Sequence, residues 1–181
     1  NSTINPILEN NFSPEVEASV NPLQVVSFVL SHLWIAGMLA MLLYAGISYW
    51  KIKKKVREAL PVDRSIYVCE QVESPFILGV VRPRIYLPAN LPEEEQKYVL
   101  AHENAHIARR DHWWKPLGFF LLTIYWFNPV LWIAYILLCR DIELACDEKV
   151  IADLGIEVKK PYSMALLNCS VSRRSVSACP L

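Results

Sequence analysis

The stretch AHENAHIARRD, residues 101–111, sets two histidines four apart with a glutamate directly after the first. On a helix of 3.6 residues per turn, His102 and His106 lie about 40° apart on one face, with Glu103 beside them. Two imidazoles in that relation can reach one ion, and the carboxylate then stands next to the coordination position where water binds. This is the mechanics of the HExxH pattern: two zinc ligands and Glu103 as catalytic base. Zn2+ would bring the pKa of the water down to about 7. A centre of this kind needs a third protein ligand, and without one the pair is only a polar helix face.

The third ligand is expected in RDIELACDEKVIADLG, residues 140–155, where Glu143 and Asp147 are four apart in an apolar context. Buried carboxylates at that spacing need a cation or a hydrogen-bond partner. Glu143 reads as the third zinc ligand. Asp147, one turn on, reads as the acceptor for the free ring nitrogen of a liganding histidine, fixing its tautomer. Cys146 reads as a small buried residue, because a thiolate would crowd a hydrolytic zinc. Arg109 and Arg110 read as basic residues at a helix end near lipid headgroups. His112 falls off the ligand face.

Elements must bring these residues together. Residues 90–114 carry helix-start chemistry, with Asn90 or Leu91 as the cap, Pro92 in the first turn and Glu93, Glu94 and Glu95 at the positive end of the dipole. After Asp111 comes a charge-free run of 23 residues, 117–139. One straight membrane-crossing helix there would leave Glu143 roughly 30 Å from His106, on the opposite side. Asn128-Pro129 in WFNPV offers the break, since proline removes a donor and biases the residue before it away from helix. The reading is two helices, 113–127 and 130–150, forming a re-entrant hairpin that dips into the bilayer and returns Glu143 to the histidines. Gly155 is the expected C-cap.

Upstream, residues 24–50 run through 27 positions without a formal charge, enough to cross a bilayer with tilt to spare. His32 within that run is expected to face a neighbouring helix. Lys51, Lys53, Lys54, Lys55 and Arg57 follow at once, against no basic residue on the other flank, so the positive-inside asymmetry puts 1–23 outside as an extracellular loop. Residues 51–181 then form a cytoplasmic-facing domain that includes the hairpin at 113–150. Within it, β-branched and aromatic residues broken by Ser-Pro, Gly and Arg-Pro predict strands at 66–70, 76–81 and 84–87, with Pro83 and Pro88 favouring an exposed edge. The five cysteines are scattered, with no CxxC, and fit reduced thiols. A net charge of zero gives no basic field for direct nucleic acid binding, and a hydrophobic content of 54% points to the membrane. The chain reads as a piece of a longer protein, multi-pass in full length.

With HENAH, the spacer containing WFNP, and ELACDE in order, and ESPFILGVVRPRIYLP ahead of them, the chain resembles the antirepressor-type membrane zinc metallopeptidases of bacterial β-lactam-sensing signal transduction. The resemblance covers roughly residues 24–170. It implies a zinc protease module in the bacterial cell membrane with a cytoplasmic active site. Matched by position, the ligands are His102, His106 and Glu143, with Glu103 as base and Asp147 in support. It also implies a polypeptide substrate, either a transcriptional repressor or the protein's own chain. The penicillin-binding sensor has no counterpart here: the S-x-x-K match from Ser48 to Lys51 ends a membrane helix without K-T-G or S-D-N, and reads as chance.

The expected fold class is a mainly α membrane protein with a small β-hairpin or sheet and a gluzincin-like helical zinc core of HExxH plus ExxxD. The expected function is a membrane-embedded zinc metalloendopeptidase acting at the cytoplasmic face. Two alternatives stand beside it: a housekeeping membrane protease of the prenyl-protein or heat-shock type, and a non-catalytic scaffold whose zinc staples the hairpin to the histidine helix.

Overall fold

The computed structural model describes residues 21–171, so most of the N-terminal loop expected at 1–23 lies outside the described residues. Helix α1 (Pro22–Lys55) crosses the boundary between two units, one ending at Ala36 and the other starting at Gly37. Its start is set by Asn21, whose side chain accepts from the Leu23 amide at 3.1 Å, with Pro22 following in the first helical position. None of its residues is buried. Among the described residues it is the one helix long and apolar enough to cross a membrane. In the first unit, His32 contacts the Phe28 carbonyl one turn back at 2.8 Å and satisfies that ring nitrogen on its own helix.

The second unit holds the remaining elements: β1 (Leu60–Pro61), β2 (Ile66–Cys69), β3 (Phe76–Leu78), β4 (Arg84–Pro88), α2 (Glu93–Arg109), α3 (Asp111–Ile124), α4 (Pro129–Leu154) and α5 (Lys159–Val171). The sheet order is β1-β2-β4-β3. β2 runs parallel to β4, with Ile66 opposite Ile85, while β1–β2 and β3–β4 are antiparallel. β4 is therefore central, which corrects the edge assignment drawn from its prolines. Pro83 precedes the strand and Pro88 ends it, where a missing donor costs the ladder least. The strand expected to reach residue 81 stops at Leu78 because Gly79 turns the chain at φ 109, with the Arg82 carbonyl 2.6 Å from where a Cβ would sit.

β4 shows why the sheet is buried on both faces. With a period of two, Ile85 and Leu87 pack on one side against Val99 of α2, and Tyr86 packs on the other against Val56, Cys69 and Val72. Burying side chains of this size is worth roughly 1.5–3 kcal/mol each, which anchors α2 to the sheet.

Helix α2 begins one or two residues later than expected. Pro92 is the cap residue, with ψ 138 and no side-chain cap, and its carbonyl accepts from the amides of Glu95 and Gln96 at 3.0 Å each. α3 and α4 form the hairpin, with Asn128 capping α4 through the Val130 amide at 3.0 Å and Pro129 in the first turn. The first arm ends at Ile124, earlier than the expected 127, and the second continues to Leu154, where Gly155 receives the chain as C-cap. The arms approach closely at Gly118, where a Cβ would sit 2.7 Å from Leu138. Phe119, Leu122 and Tyr135 fill the seam with Met41 and Ala45 of α1. Among the described residues, Cys69, Cys139, Cys146 and Cys169 are not joined in disulfides.

Candidate metal centre

The histidine helix carries its site on the face turned toward α4 and α5. His102, Glu103 and His106 are all buried, at 9%, 8% and 7% exposure, while Val99 on the same helix packs against the sheet. Ala105 packs with Cys146, Val150 and Tyr162, so small residues let the three helices close around the histidines. The helix ends at Arg110, whose φ of 61 and ψ of 33 place it in the left-handed region. That single residue closes α2 and opens α3, a conformation that costs a non-glycine residue about 1–2 kcal/mol. The corner folds Asp111 back beneath the histidines, leaving it 2% exposed.

Three ligand atoms converge. His102 Nε2 and His106 Nε2 lie 3.1 Å apart, and Glu143 Oε2 is 3.4 Å from the first and 3.5 Å from the second. Ligands at about 2.0–2.1 Å from a tetrahedral zinc stand about 3.3–3.4 Å from one another. The triangle therefore has the size of one face of a tetrahedral centre, which is the test a donor set must pass.

Each histidine is oriented from behind. His106 Nδ1 is 2.9 Å from Asp111 Oδ2, and the Cys146 thiol donates to that oxygen at 3.2 Å. His102 Nδ1 is 2.8 Å from the Tyr162 hydroxyl, which donates to Asp147 Oδ1 at 2.6 Å; Asp147 Oδ1 is itself 3.2 Å from the same ring nitrogen. A proton held on each Nδ1 leaves the lone pair of each Nε2 facing the third ligand, the tautomer that a metal requires. His106, Asp111 and Cys146 also cluster closely enough to invite a metal. Their separations of 2.9, 3.0 and 3.2 Å are hydrogen-bond lengths, shorter than the roughly 3.5 Å that a thiolate and an imidazole take around one zinc. They form a hydrogen-bonded support.

The charges follow the same plan. Burial raises the Glu103 carboxyl above its usual range, an effect His102 and His106 only partly offset. Burial alone would raise Glu143 too, but the two histidines and the Lys115 ammonium, 2.8 Å from Oε1, hold it far below the usual carboxylate range. Burial would lower His106, yet hydrogen bonds with Cys146, Glu143 and Asp111 outweigh it and push the ring up to about 10. The raised His106 thus faces an ionised Glu143 carboxylate, an arrangement in which a dication can take the place of a proton.

The structure brings His102, His106, Glu103, Glu143 and Asp147 together in one cluster, with the histidines and Glu103 buried and Glu143 and Asp147 partly exposed. His112 stands apart from the triangle. Arg109 Nε pairs with Asp111 Oδ2 at 3.6 Å. Cys146 is fully buried, as its size suggested, and it also joins the Asp111 network, which its sequence context did not signal. Asp111, Tyr162 and Lys115 went unread. Asp111 is five residues from His106, off the ligand face of a continuous helix, and only the corner at Arg110 returns it. Tyr162 is 60 residues from its partner, beyond any local pattern. Lys115 had one signal: it is the last charge before the 23-residue apolar run.

These supports carry a prediction. Asp111→Asn and Tyr162→Phe each remove one orienting partner, and each should weaken zinc binding by about 10–100-fold in chelator competition. Unchanged affinity in both would reduce the network to packing.

Comparison with known proteins adds an independent line. Residues 1–180 match the family described as BlaR1 peptidase M56. The chain is 22% identical over 188 residues to the methicillin resistance mecR1 protein of Staphylococcus aureus, an alignment that takes in 90% of this chain and 32% of that protein. It is 27% identical over 191 residues to the regulatory protein BlaR1 of Bacillus licheniformis, covering 92% of this chain and 31% of the relative. The chain thus spans about a third of the length of these curated relatives.

Proposed function

The chain belongs to the BlaR1 peptidase M56 family, and on that premise we propose that it is a zinc-dependent endopeptidase that cleaves a polypeptide at the cytoplasmic face of the bacterial membrane, in an antirepressor signalling role. The observation that carries this reading is the triangle of His102 Nε2, His106 Nε2 and Glu143 Oε2, with buried Glu103 adjoining it in sequence and in charge.

His102, His106 and Glu143 would hold the zinc, which when bound lowers the pKa of water to about 7 and polarises a carbonyl. The chain's own residues do the rest. Glu103 takes a proton from the attacking water as the C–O bond forms, and passes it to the amine as the peptide C–N bond breaks. Burial raises its pKa, which favours taking the proton from water and holding it until the amine leaves. Asp111, Tyr162 and Asp147 hold the imidazoles still. The edge of β3, an outer strand of the sheet that has no strand beyond it among the described residues, offers an extended substrate a backbone ladder.

The membrane arrangement is part of the proposal. Residues 1–23 lie outside, 24–50 cross, and 51–181 face the cytoplasm with the 113–150 hairpin entering the bilayer. Support comes from the exposed apolar surface of the hairpin, where Trp113, Trp114, Phe120, Phe127, Trp132 and Ile133 are open. Such a patch is rare on a protein surrounded by water and ordinary against lipid.

The test is direct. Detergent-purified chain, loaded with zinc and given an unstructured polypeptide, should cleave it, should also cut copies of its own chain if self-processing is its role, and should stop on chelation and recover on adding zinc. Cleavage indifferent to the chelator would overturn the metal mechanism.

A further inference from the structure

We propose that Lys115 is a positioning residue that holds Glu143 to single-oxygen coordination and so keeps a place open at the metal. The inference rests on the zinc reading of the site and deepens it.

The two oxygens of the Glu143 carboxylate have separate partners. Oε2 faces both histidines, at 3.4 and 3.5 Å, while Oε1 accepts from Lys115 Nζ at 2.8 Å. A carboxylate can bind a metal through one oxygen or both, and the second mode takes up another coordination position. Catalytic zinc centres keep three protein ligands plus one open place, and expand to five only in the transition state. An oxygen already tied to an ammonium is not available to fill that place early.

The pair is unlike an ordinary surface ion pair. Lys115 and Glu143 come from the two arms of the α3–α4 hairpin, 28 residues apart, with the lysine side chain 22% and the glutamate side chain 45% exposed. Lys149–Asp153 makes the contrast: four residues apart on one helix, 40% and 62% exposed, and of the kind that contributes little. Lys115 is also placed by the corner at Arg110, since α3 starts one residue after it and carries the lysine back over the histidine helix. The same left-handed residue thus delivers two supports, Asp111 behind His106 and Lys115 behind Glu143. The ammonium also sits close enough to lower the Glu103 carboxyl, so it belongs to the centre rather than its rim.

Cobalt(II) reports coordination number through its visible absorption, which is stronger for four-coordinate than for five-coordinate ions. The experiment compares detergent-purified wild type, K115M, K115Q and K115R, each loaded with cobalt, with metal content and polypeptide cleavage measured on the same samples. The wild type should show the intense four-coordinate spectrum with about one metal per chain. K115M and K115Q should keep the metal, lose band intensity as the freed oxygen binds, and lose about tenfold or more in kcat with little change in KM. K115R, which can still donate to Oε1, should restore both spectrum and kcat. If K115M does not fold, K115Q carries the comparison. Metal bound with wild-type spectra in K115M and K115Q would overturn the Lys115 role while leaving the zinc reading intact. No metal in the wild type would overturn both.

Discussion

Glu103→Gln protein should hold as much zinc as the wild type and cleave a polypeptide about 10²–10⁴-fold more slowly, the range spanned by the loss of a positioned general base. The glutamate is not among the three converging ligand atoms, so its removal leaves the metal set whole. Glutamine has the same shape and stays polar, so at 8% exposure the buried site keeps its packing. What the amide cannot do is accept a proton from water. Metal content by atomic absorption and cleavage under single-turnover conditions, on one preparation, separate the two properties. Loss of zinc in the variant would make Glu103 a structural member of the site. Undiminished cleavage would move the base elsewhere, and equal signalling by both forms in cells would favour a scaffold.

Glu143→Ala should lose most of its zinc, with affinity falling by more than the roughly 100-fold that marks the loss of a supporting partner. Two histidine nitrogens 3.1 Å apart remain, but the third corner of the triangle and its negative charge are gone. The variant also leaves the Lys115 ammonium near the site without its Glu143 partner, so its charge opposes an incoming dication. Equilibrium dialysis against a zinc buffer, wild type beside variant, measures this. Because α4 reaches the histidines only through the hairpin turn at Asn128, loss of zinc would join His106 and Glu143, 37 positions apart, in one site in solution. Full retention would take Glu143 out of the ligand set and leave the two histidines to find a different partner.

Much of the layout was legible because it is local. The apolar run at 24–50, the basic residues after it and the break at Asn128-Pro129 each act through a few neighbouring residues, and the structure has helices at Pro22–Lys55 and Pro129–Leu154 to match. The strands were legible as β-branched runs, but their order was not. Prolines marked β4 as an edge, whereas its alternation of Ile85, Tyr86 and Leu87 needed cover on both faces and so placed it in the centre. The cap of α2 was misplaced by one or two residues because Asn90 looked like a cap, while the backbone of Pro92 took the amides instead. Glu143 and Asp147 were singled out because their spacing is helical and their setting apolar.

The sequence by itself determined which residues could bind a metal and which helix faces carry them, since the 3.6-residue period follows from the backbone and needs no partner. Only the tertiary structure decided that they meet. A helical period sets angles along one axis; it says nothing about how far a second helix stands away. Here that distance is set by Gly118 and Ala105, which let helices close, and by Arg110, whose left-handed backbone turns one helix into the next. The partners behind the histidines, Asp111 and Tyr162, and the lysine behind Glu143 belong to that second level. Their roles come from the approach of segments distant in the chain, and no window of sequence contains such an approach.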